Sequence, residues 1–316
     1  MKIVFSEVTK EGFLEELQQE FPQAELVMAT TQDEQKAKIR DADGFMGWPS
    51  TEVLLAAERL QWVHVHSTGV DRLDKMPELR DSDIVLTNTM GPHQNPIADH
   101  AFAMMLFLGH QMGSLWDDKK ARRWEANKYF SKFLEMNDST LGILGLGGIG
   151  SAVARRGHGF GMNVYAVDKF PKLIPEVKEV WTPDRIDDLL AISDWFVVSV
   201  PQTGETRCMI NRRRVGLLKQ GAVIAIVSRG NIVDEDALAE ALQDGKLRGA
   251  GIDAFAQEPL PQESPFWDLD NVIISPHNAG FTQENWEARR QVLRENLRRF
   301  LAGEPFLYVV NKKAGF

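Results

Sequence analysis

The sequence predicts an α/β fold with parallel sheets, arranged as two domains. Short apolar segments that are typical of buried strands alternate with helical segments in two separate series along the 316 residues. In residues 141–168, an apolar strand leads into a glycine-rich turn, a helix and a second strand that ends in an acid. A chain of this length can form two domains with well-packed cores.

The first series of predicted strands occupies the N-terminal part of the chain. These strands are Lys2–Ser6, Glu25–Ala29, Ala42–Gly47, Trp62–Ser67 and Ile84–Asn88. Helices are predicted between some of them, over Gly12–Gln19 and Glu52–Arg59. Because strands and helices alternate, we expect the strands to pair in parallel through βαβ units.

The second series begins with the strand that precedes the glycine-rich turn. Its predicted strands are Leu141–Gly145, Asn163–Asp168, Trp195–Val200, Ala222–Val227, Gly249–Ala254 and Val272–Ser275. Gly221 and Gly245 are each predicted to stop the helix before the next strand, since a glycine adopts the conformation that ends a helix. Asp234 is predicted to cap the helix that begins EDALAEAL.

Two further helical segments suggest how the domains are built. Ile97–Gly113 is apolar on most faces, which predicts burial between domains or in a subunit interface. Gln283–Ala302 is amphipathic and has no strands of its own, so we expect it to pack on the first domain. Residues 1–96 and 284–316 would then form one domain and residues 97–283 the other. A ligand is expected in the crevice between them, at the carboxyl ends of the strands.

Composition and charge narrow the possible functions. A net charge of −9 and a pI of about 5.4 argue against nucleic-acid or anionic-membrane partners. Cys208 is the only cysteine, which excludes an internal disulfide and a thiol–metal cluster. The N-terminus predicts a strand rather than a signal peptide, and no apolar run approaches the length of a membrane span. The expected compartment is the cytoplasm.

The glycine-rich turn predicts a dinucleotide-binding Rossmann domain. Gly145, Gly147 and Gly150 have the G-x-G-x-x-G spacing, in which the first permits a tight turn, the second lets a pyrophosphate approach and the third lets the helix pack closely. Amides at the helix N-terminus would hold the phosphates. Asp168, which follows Gly150 by 18 residues, would accept hydrogen bonds from the adenosine ribose.

Three polar side chains follow later strands of the second series. Arg229, Glu258 and His277 come after its fourth, fifth and sixth strands. Because parallel strands open onto the same edge of a sheet, we expect the three side chains to converge. Histidine can transfer a proton near neutrality, a carboxylate can fix its tautomer, and arginine presents a planar fork to carboxylate or carbonyl oxygens.

Taken in this order, the motifs resemble those of the D-isomer-specific 2-hydroxyacid dehydrogenase family. That family shows the glycine fingerprint, an S/A-R-G arginine, a D-x-F-x-x-E-P glutamate and an S/T-P-H-x-A-G histidine. The corresponding segments here are SRG at 228–230, DAFAQEP at 253–259 and SPHNAG at 275–280. The likeness covers nearly the whole chain and includes Ser67-Thr68-Gly69-Val70-Asp71, which resembles the family's substrate loop.

The resemblance implies NAD(P)-dependent reduction of a small 2-oxo acid, such as glyoxylate or hydroxypyruvate, to the D-2-hydroxy acid. His277 would be the acid/base, Glu258 its partner and Arg229 the residue that binds the 2-oxo acid. Amides around Thr68 and Gly69 would hold the substrate carboxylate. The remaining implied contacts are Ser67 in the substrate loop and Gly148, Ile149, Pro201, Thr206, Ser228 and Asp253 at the cofactor. A flavodoxin-like substrate domain and a homodimer are also implied.

Some assignments stay open at this point. Trp48 is predicted to wall the substrate pocket, and His66 adjoins the substrate loop, although such a histidine is more often structural. His64 and His66 point the same way on one strand, but no third ligand nearby supports a metal site. Asp168 favours NAD because it would repel the 2′-phosphate of NADP, whereas Lys169 could bind that phosphate and keeps NADP possible.

A second class of function also fits these motifs. Some proteins of this fold act as NAD-sensing scaffolds that bind peptides, like the C-terminal-binding-protein corepressors. The set Arg229, Glu258 and His277 does not distinguish the two, because those proteins keep it. The compact acidic sequence, without disordered tails, favours the enzyme.

Overall fold

A computed structural model describes residues 1–315. It contains two parallel β-sheets with helices between successive strands, which confirms the predicted fold class. The chain divides into two compact units. Unit 1 comprises Met1–His93 together with the segment that begins at Thr282, and unit 2 comprises Gln94–Phe281.

The sheet of unit 1 has five strands in the order β2-β1-β3-β4-β5. They are β1 Lys2–Phe5, β2 Glu25–Met28, β3 Gly44–Met46, β4 Trp62–His64 and β5 Val85–Thr87. The sheet of unit 2 has seven strands in the order β12-β11-β10-β9-β6-β7-β8. They are β6 Thr140–Leu144, β7 Asn163–Val167, β8 Glu179–Trp181, β9 Trp195–Val198, β10 Ala222–Ile226, β11 Leu247–Ile252 and β12 Val272–Ile274.

The helices connect these strands and cover the sheets. They are α1 Phe13–Glu20, α2 Gln32–Ile39, α3 Thr51–Leu55, α4 Pro77–Arg80, α5 Gln94–Gly109, α6 Met112–Lys120, α7 Gly148–Gly159, α8 Ile186–Ile192, α9 Arg212–Leu217, α10 Glu235–Gln243 and α11 Gln283–Ala302. Short 3₁₀ helices span Asp71–Lys75, Ala126–Tyr129, Pro183–Arg185, Gly230–Ile232 and Pro265–Asp268. Within residues 1–315, no helix combines the length and the apolar character that a membrane crossing needs.

All eleven predicted strands are present, and most end one to three residues earlier than predicted. The last residues of each prediction leave the sheet where the chain turns into a loop. The central strands β9 and β10 are buried along their whole length, which explains their continuous apolar sequences. The edge strand β8 was not predicted, because its three partly exposed residues form no apolar run.

Three helix predictions need correction. The predicted helix Ile97–Gly113 is α5 followed by a separate α6, because Gln111 adopts a left-handed φ of 52° and interrupts it. The predicted helix Glu52–Arg59 is the shorter α3. Gly221 does not stop a helix, since α9 ends earlier at Leu217; with φ of 80°, Gly221 instead forms the turn into β10.

Other local predictions are confirmed. The Asp234 side chain accepts a hydrogen bond from the Ala237 amide at 3.0 Å and caps α10, and Gly245 follows that helix with φ of 70°. Helix α11 has the predicted bounds and packs on the sheet of unit 1. There the Phe300 ring lies 5.1 Å from the ring of Trp62, centroid to centroid.

Candidate active site

The glycine-rich turn joins β6 to α7. Gly145 has φ of 93°, and a Cβ atom at this position would lie 2.7 Å from a methyl group of Val200. A Cβ on Gly150 would lie 1.9 Å from the carbonyl oxygen of Gly145. Neither position can hold a side chain without moving the backbone, so the turn and the helix are fixed against each other by these two glycines.

Gly147 has different surroundings. It is the N-cap of α7, and a Cβ built on it would have no heavy atom within 4 Å. The first amides of α7, from Gly148 and Ile149, have no intrahelical acceptor because of their place in the helix. Amides at a helix N-terminus beside open space fit the pyrophosphate of a dinucleotide.

Asp168 follows β7 and lies beside the turn. Its carboxylate accepts hydrogen bonds from the Leu146 amide at 2.7 Å and the Phe170 amide at 2.8 Å. These two bonds hold the carboxylate in one place next to the glycine-rich turn. The neighbouring Lys169 is engaged with an acid, since its ammonium group lies 2.6 Å from the Glu205 carboxylate.

The other residues predicted to contact the cofactor lie at the start of α7 and in the loops that follow β9, β10 and β11. In the loop after β9, the Thr206 hydroxyl donates to the Pro201 carbonyl oxygen at 2.7 Å. Gly148 packs against the side chain of Gln94, where a Cβ would lie 2.4 Å from the amide nitrogen. Ser228 is buried, and its hydroxyl has no hydrogen-bond partner within residues 1–315.

His277 lies at the centre of a short hydrogen-bonded series within unit 2. Its Nδ1 lies 2.9 Å from Oε2 of Glu258, and its Nε2 lies 3.3 Å from an Nη1 of Arg229. A carboxylate can only accept a hydrogen bond, so Nδ1 carries the hydrogen in this contact. Nε2 is therefore the ring nitrogen available for proton exchange with a substrate. The structure thus brings together the three side chains that the sequence placed after separate strands.

Asp253 holds the turn that carries His277. It is only 3% exposed, and Oδ1 accepts hydrogen bonds from the Ser275 hydroxyl at 2.6 Å and from the Asn278 amide at 3.0 Å. The His277 amide donates to the Asp253 carbonyl oxygen at 2.8 Å. His277 has φ of 53°, a conformation uncommon for a residue with a side chain, which these bonds stabilise.

Glu235 is a site residue that the sequence did not single out. Its carboxylate accepts a hydrogen bond from the Ala256 amide at 2.6 Å, in the loop that carries Glu258. Burial raises the pKa of Glu235, and the nearby acids Asp236 and Glu258 raise it further. In the sequence this residue looks like an ordinary acid in the first turn of a helix, so no local signal distinguishes it.

In unit 1, the predicted substrate loop is fixed by side-chain contacts. The Ser67 hydroxyl donates to the Gly69 carbonyl oxygen at 2.8 Å and accepts from the Trp48 indole at 3.3 Å. The Asn88 side chain donates to the Thr68 carbonyl oxygen at 2.8 Å. The structure therefore places Trp48 directly beside the loop.

His64 lies in β4, and His66 follows that strand. His64 Nδ1 lies 2.8 Å from the Thr87 hydroxyl, and burial lowers the pKa of His64 well below its ordinary value. Among residues 1–315, no three His, Cys, Asp or Glu side chains are grouped closely enough to hold a metal ion. Arg289 lies next to His66, a contact that no sequence pattern indicated.

Comparison with known proteins identifies a matching family and similar sequences. Residues 102–279 match the family described as "D-isomer specific 2-hydroxyacid dehydrogenase, NAD binding domain". The chain is 36% identical over 289 residues to a glyoxylate reductase from Pyrococcus furiosus, covering 87% of this chain and 84% of that protein. It is 32% identical over 316 residues to a D-3-phosphoglycerate dehydrogenase from Methanocaldococcus jannaschii, covering 98% of this chain but only 59% of that longer protein.

A solved structure shows the same fold over the full chain. It is a D-isomer specific 2-hydroxyacid dehydrogenase from Xanthobacter autotrophicus Py2 in complex with NADPH and MES. The TM-score is 0.85 at 28% sequence identity, and the match covers 100% of this chain and 99% of that chain.

Proposed function

This chain belongs to the D-isomer-specific 2-hydroxyacid dehydrogenase family, and from that membership we propose that it reduces glyoxylate, hydroxypyruvate or a similar small 2-oxo acid to the D-2-hydroxy acid. It is an NAD(P)-dependent oxidoreductase that acts on a CH–OH group. Unit 2 would be the NAD-binding domain and unit 1 the substrate-binding domain. The series Arg229–His277–Glu258 is the observation that carries the proposal.

Each member of that series has a part in the reduction. When bound, a nicotinamide cofactor supplies the hydride that reduces the carbonyl carbon. His277 delivers a proton from Nε2 to the carbonyl oxygen, while Glu258 holds the ring by its Nδ1 and stabilises the charged imidazolium. Arg229 binds the substrate through its planar fork and stabilises the negative charge that develops on the oxygen.

The substrate loop supplies the remaining contacts to the 2-oxo acid. Backbone amides of Thr68 and Gly69 would hold the carboxylate, and the hydrogen bonds of Ser67 keep the loop in shape for this contact. Trp48, bonded to Ser67, would form one wall of the pocket. Rigid backbone donors of this kind bind a carboxylate with little loss of conformational entropy.

The cofactor would lie along the glycine-rich turn. Amides of Gly147, Gly148 and Ile149 would hold the pyrophosphate, and Asp168 would accept hydrogen bonds from the ribose hydroxyls. We propose that NAD is preferred, because a fixed carboxylate repels a 2′-phosphate. The other residues proposed at the cofactor are Gly145, Gly150, Pro201, Thr206, Ser228 and Asp253. Asp253 uses much of its acceptor capacity within the protein, so its first task is to hold the histidine turn.

We further propose that two copies of this chain associate through α5, α6 and the segment that follows them. Large apolar side chains are exposed throughout this region: Phe107, Met112, Trp116, Trp124, Phe130 and Phe133. Trp124 is 97% exposed. A concentration of exposed apolar surface is typical of an interaction site, and a closed symmetric dimer is the commonest assembly.

Substitution of His277 tests the proposed reaction. We expect the wild type to oxidise NADH with glyoxylate or hydroxypyruvate, and His277→Ala to lower kcat/KM by about 10³-fold or more because the proton donor is lost. The matched control is His158→Ala, an exposed histidine near the C-terminal end of α7. Activity of His277→Ala within tenfold of wild type would remove the proton-transfer role from this residue.

A further inference from the structure

Helix α11 carries one arginine whose surroundings differ from those of the others. Arg289 is only 5% exposed and faces the body of unit 1. The other four arginines of α11 each pair with a carboxylate, as Arg290 does with Glu287 at 2.8 Å and Arg299 does with Glu295 at 2.7 Å. Within residues 1–315, Arg289 has no carboxylate partner, so its charge is not balanced inside the protein.

The contacts of Arg289 leave donors unused. Its Nη1 donates a long hydrogen bond of 3.4 Å to the His66 carbonyl oxygen, and its guanidinium lies 4.3 Å from the ring centre of Trp286. Its buried Nε has no acceptor within the described residues. Burial lowers the pKa of Arg289 to about 10, so the group still carries its charge at neutral pH. A buried cation without a counter-charge is costly, and a bound anion would remove that cost.

Two further polar side chains of unit 1 also lack partners: that of His66, whose carbonyl oxygen contacts Arg289, and that of Thr68, two residues further along the chain. His66 is 9% exposed, and neither of its ring nitrogens has a hydrogen-bond partner within residues 1–315. The same holds for the buried hydroxyl of Thr68, in the substrate loop. Buried polar atoms are nearly always hydrogen-bonded, so the unused polar atoms of Arg289 and of the adjacent His66 indicate a place for a polar ligand, and the unused hydroxyl of Thr68 is close to His66 along the chain.

The chemistry of the group selects a carboxylate. A guanidinium, a hydroxyl and an imidazole offer a charged fork and two adaptable donors, a combination suited to carboxylate oxygens. Under the proposed function, the positive charge of Arg229 already matches the carboxylate of the 2-oxo acid. The charge of Arg289 therefore calls for a second negative charge on the substrate.

We propose that Arg289, His66 and Thr68 form a second anion subsite, which binds the distal carboxylate of a 2-oxo dicarboxylic acid. This inference rests on the proposed reduction of 2-oxo acids at the loop 67–69. The subsite lies wholly within unit 1, and its residues come from α11 and from the loop that follows β4. Substrates with a single carboxylate, such as glyoxylate, are then turned over less efficiently because Arg289 stays unpaired.

A matched pair of substrates tests the proposal without any mutation. The pair is 2-oxoglutarate and 2-oxovalerate, which have the same carbon chain and differ in the distal carboxylate. We expect kcat/KM of the wild type to be about 10²-fold higher for 2-oxoglutarate, the size of a charge-assisted buried contact. A wild type that reduces 2-oxovalerate as efficiently as 2-oxoglutarate overturns the subsite.

Variants then assign the effect to Arg289. In Arg289→Met, we expect kcat/KM for 2-oxoglutarate to fall about 10²-fold and kcat/KM for 2-oxovalerate to stay within about threefold. Arg289→Lys should keep part of the preference, because it retains the charge without the fork. Arg298→Met is the control on the same helix, since that arginine is paired with Glu295 and Glu304 and should not alter the ratio.

The outcomes separate this inference from the proposed function. An equal loss for both substrates in Arg289→Met overturns the distal subsite and makes Arg289 a general support of the loop. If Arg289→Met does not fold, Thr68→Val is measured in its place, again as the ratio of kcat/KM for 2-oxoglutarate to kcat/KM for 2-oxovalerate. A ratio in Thr68→Val equal to that of the wild type overturns the shared subsite. Turnover of glyoxylate or hydroxypyruvate without any diacid preference contradicts the subsite alone. Absence of turnover with every 2-oxo acid contradicts the proposed function as well.

Discussion

Different neighbours determine the backbone conformation of His277 and the position of its side chain. The backbone is held in its left-handed conformation by Asp253, whereas the ring is held by Glu258 and Arg229. Glu258 is itself positioned by a bond from the Phe255 amide at 3.0 Å, and Glu235 anchors the adjacent amide of Ala256. The proposed proton donor is thus supported by the loop after β11, which carries Asp253 and Glu258, and by Glu235 at the start of α10.

We propose that the preference for NAD over NADP is also decided by a single residue, Asp168. We expect Asp168→Ser to raise KM for NADH about tenfold or more, because the ribose loses a charge-assisted acceptor, and to improve the use of NADPH. The ratio of kcat/KM for NADH to that for NADPH, measured with one 2-oxo acid, checks this.

Lys169→Met is the control for the Asp168→Ser experiment. Because Lys169 lies 2.6 Å from Glu205, we expect this variant to leave the NADH to NADPH ratio within about threefold of wild type. A ratio that changes more in Lys169→Met than in Asp168→Ser would contradict the role given to Asp168.

At the scale of elements, α7 and the turn before it act as one unit. The turn needs glycine at two places, where a side chain would strike either Val200 or the Gly145 carbonyl. The same helix ends in Gly159, where an added Cβ would meet no heavy atom within 4 Å. A side chain is therefore excluded at Gly150 and can be accommodated at Gly159.

This asymmetry gives a paired prediction. Gly150→Ala should lower the free energy of unfolding by about 2 kcal/mol or more and abolish measurable NADH binding, because the helix must move away from the turn. Gly159→Ala should be neutral or stabilise by up to about 1 kcal/mol through helix propensity. Denaturant unfolding and NADH fluorescence titration measure both. Equal effects of the two substitutions would show that the contact with the Gly145 carbonyl does not restrict the helix.

At the scale of the whole molecule, buried histidines connect stability to pH. Burial, and next the charge of Arg289, lower the pKa of His66 from 6.5 to about 4. His64 packs edge-on against it with ring centroids 5.9 Å apart, and burial lowers its pKa too. Because the unfolded chain takes up these protons first, the folded state loses stability as pH falls from 6.5 towards 4.

The contribution of His66 can be isolated by substitution. Its pKa shift corresponds to about 3 kcal/mol of stability that is present above pH 6.5 and lost by about pH 4. Between pH 6.5 and about pH 4, we expect the free energy of unfolding of His66→Asn to decrease by about 3 kcal/mol less than that of the wild type. His158→Asn, at an exposed position, should follow the wild type. Identical pH profiles for all three proteins would be incompatible with a buried neutral His66.

Association of the chain is a property of the whole molecule as well. We expect light scattering to give about twice the chain mass of 35.6 kDa for the wild type. Trp124→Asp combined with Phe130→Asp should give the mass of a single chain, because charges would replace the apolar contact. Leu55→Asp, in an exposed position of α3, is the control and should leave the mass unchanged. A wild type with the mass of one chain would remove the dimer.

Local sequence patterns predicted much of the fold and of the candidate active site. The alternation of apolar strands and helices gave the fold class, the glycine spacing identified the turn, and three strand ends indicated Arg229, Glu258 and His277. Strand ends were predicted too long because hydrophobicity continues for a residue or two after the backbone leaves the sheet. The break between α5 and α6 was not predicted, because the apolar pattern runs on through Gln111.

The sequence by itself determined which residue types follow which strand. It therefore predicted the glycine-rich turn and the proposed catalytic groups, because these depend on spacing within one βα unit or on the common edge of a parallel sheet. Only the tertiary structure decided that Arg289 is buried without a carboxylate partner among residues 1–315, since its contact with His66 joins residues 223 positions apart. Hydrophobic periodicity shows which face of a helix is apolar, but not which polar side chain on that face is left without a partner. Whether a buried polar side chain has a partner depends on which distant segments meet in the folded protein. The same contacts determine the free-energy cost of a buried charge.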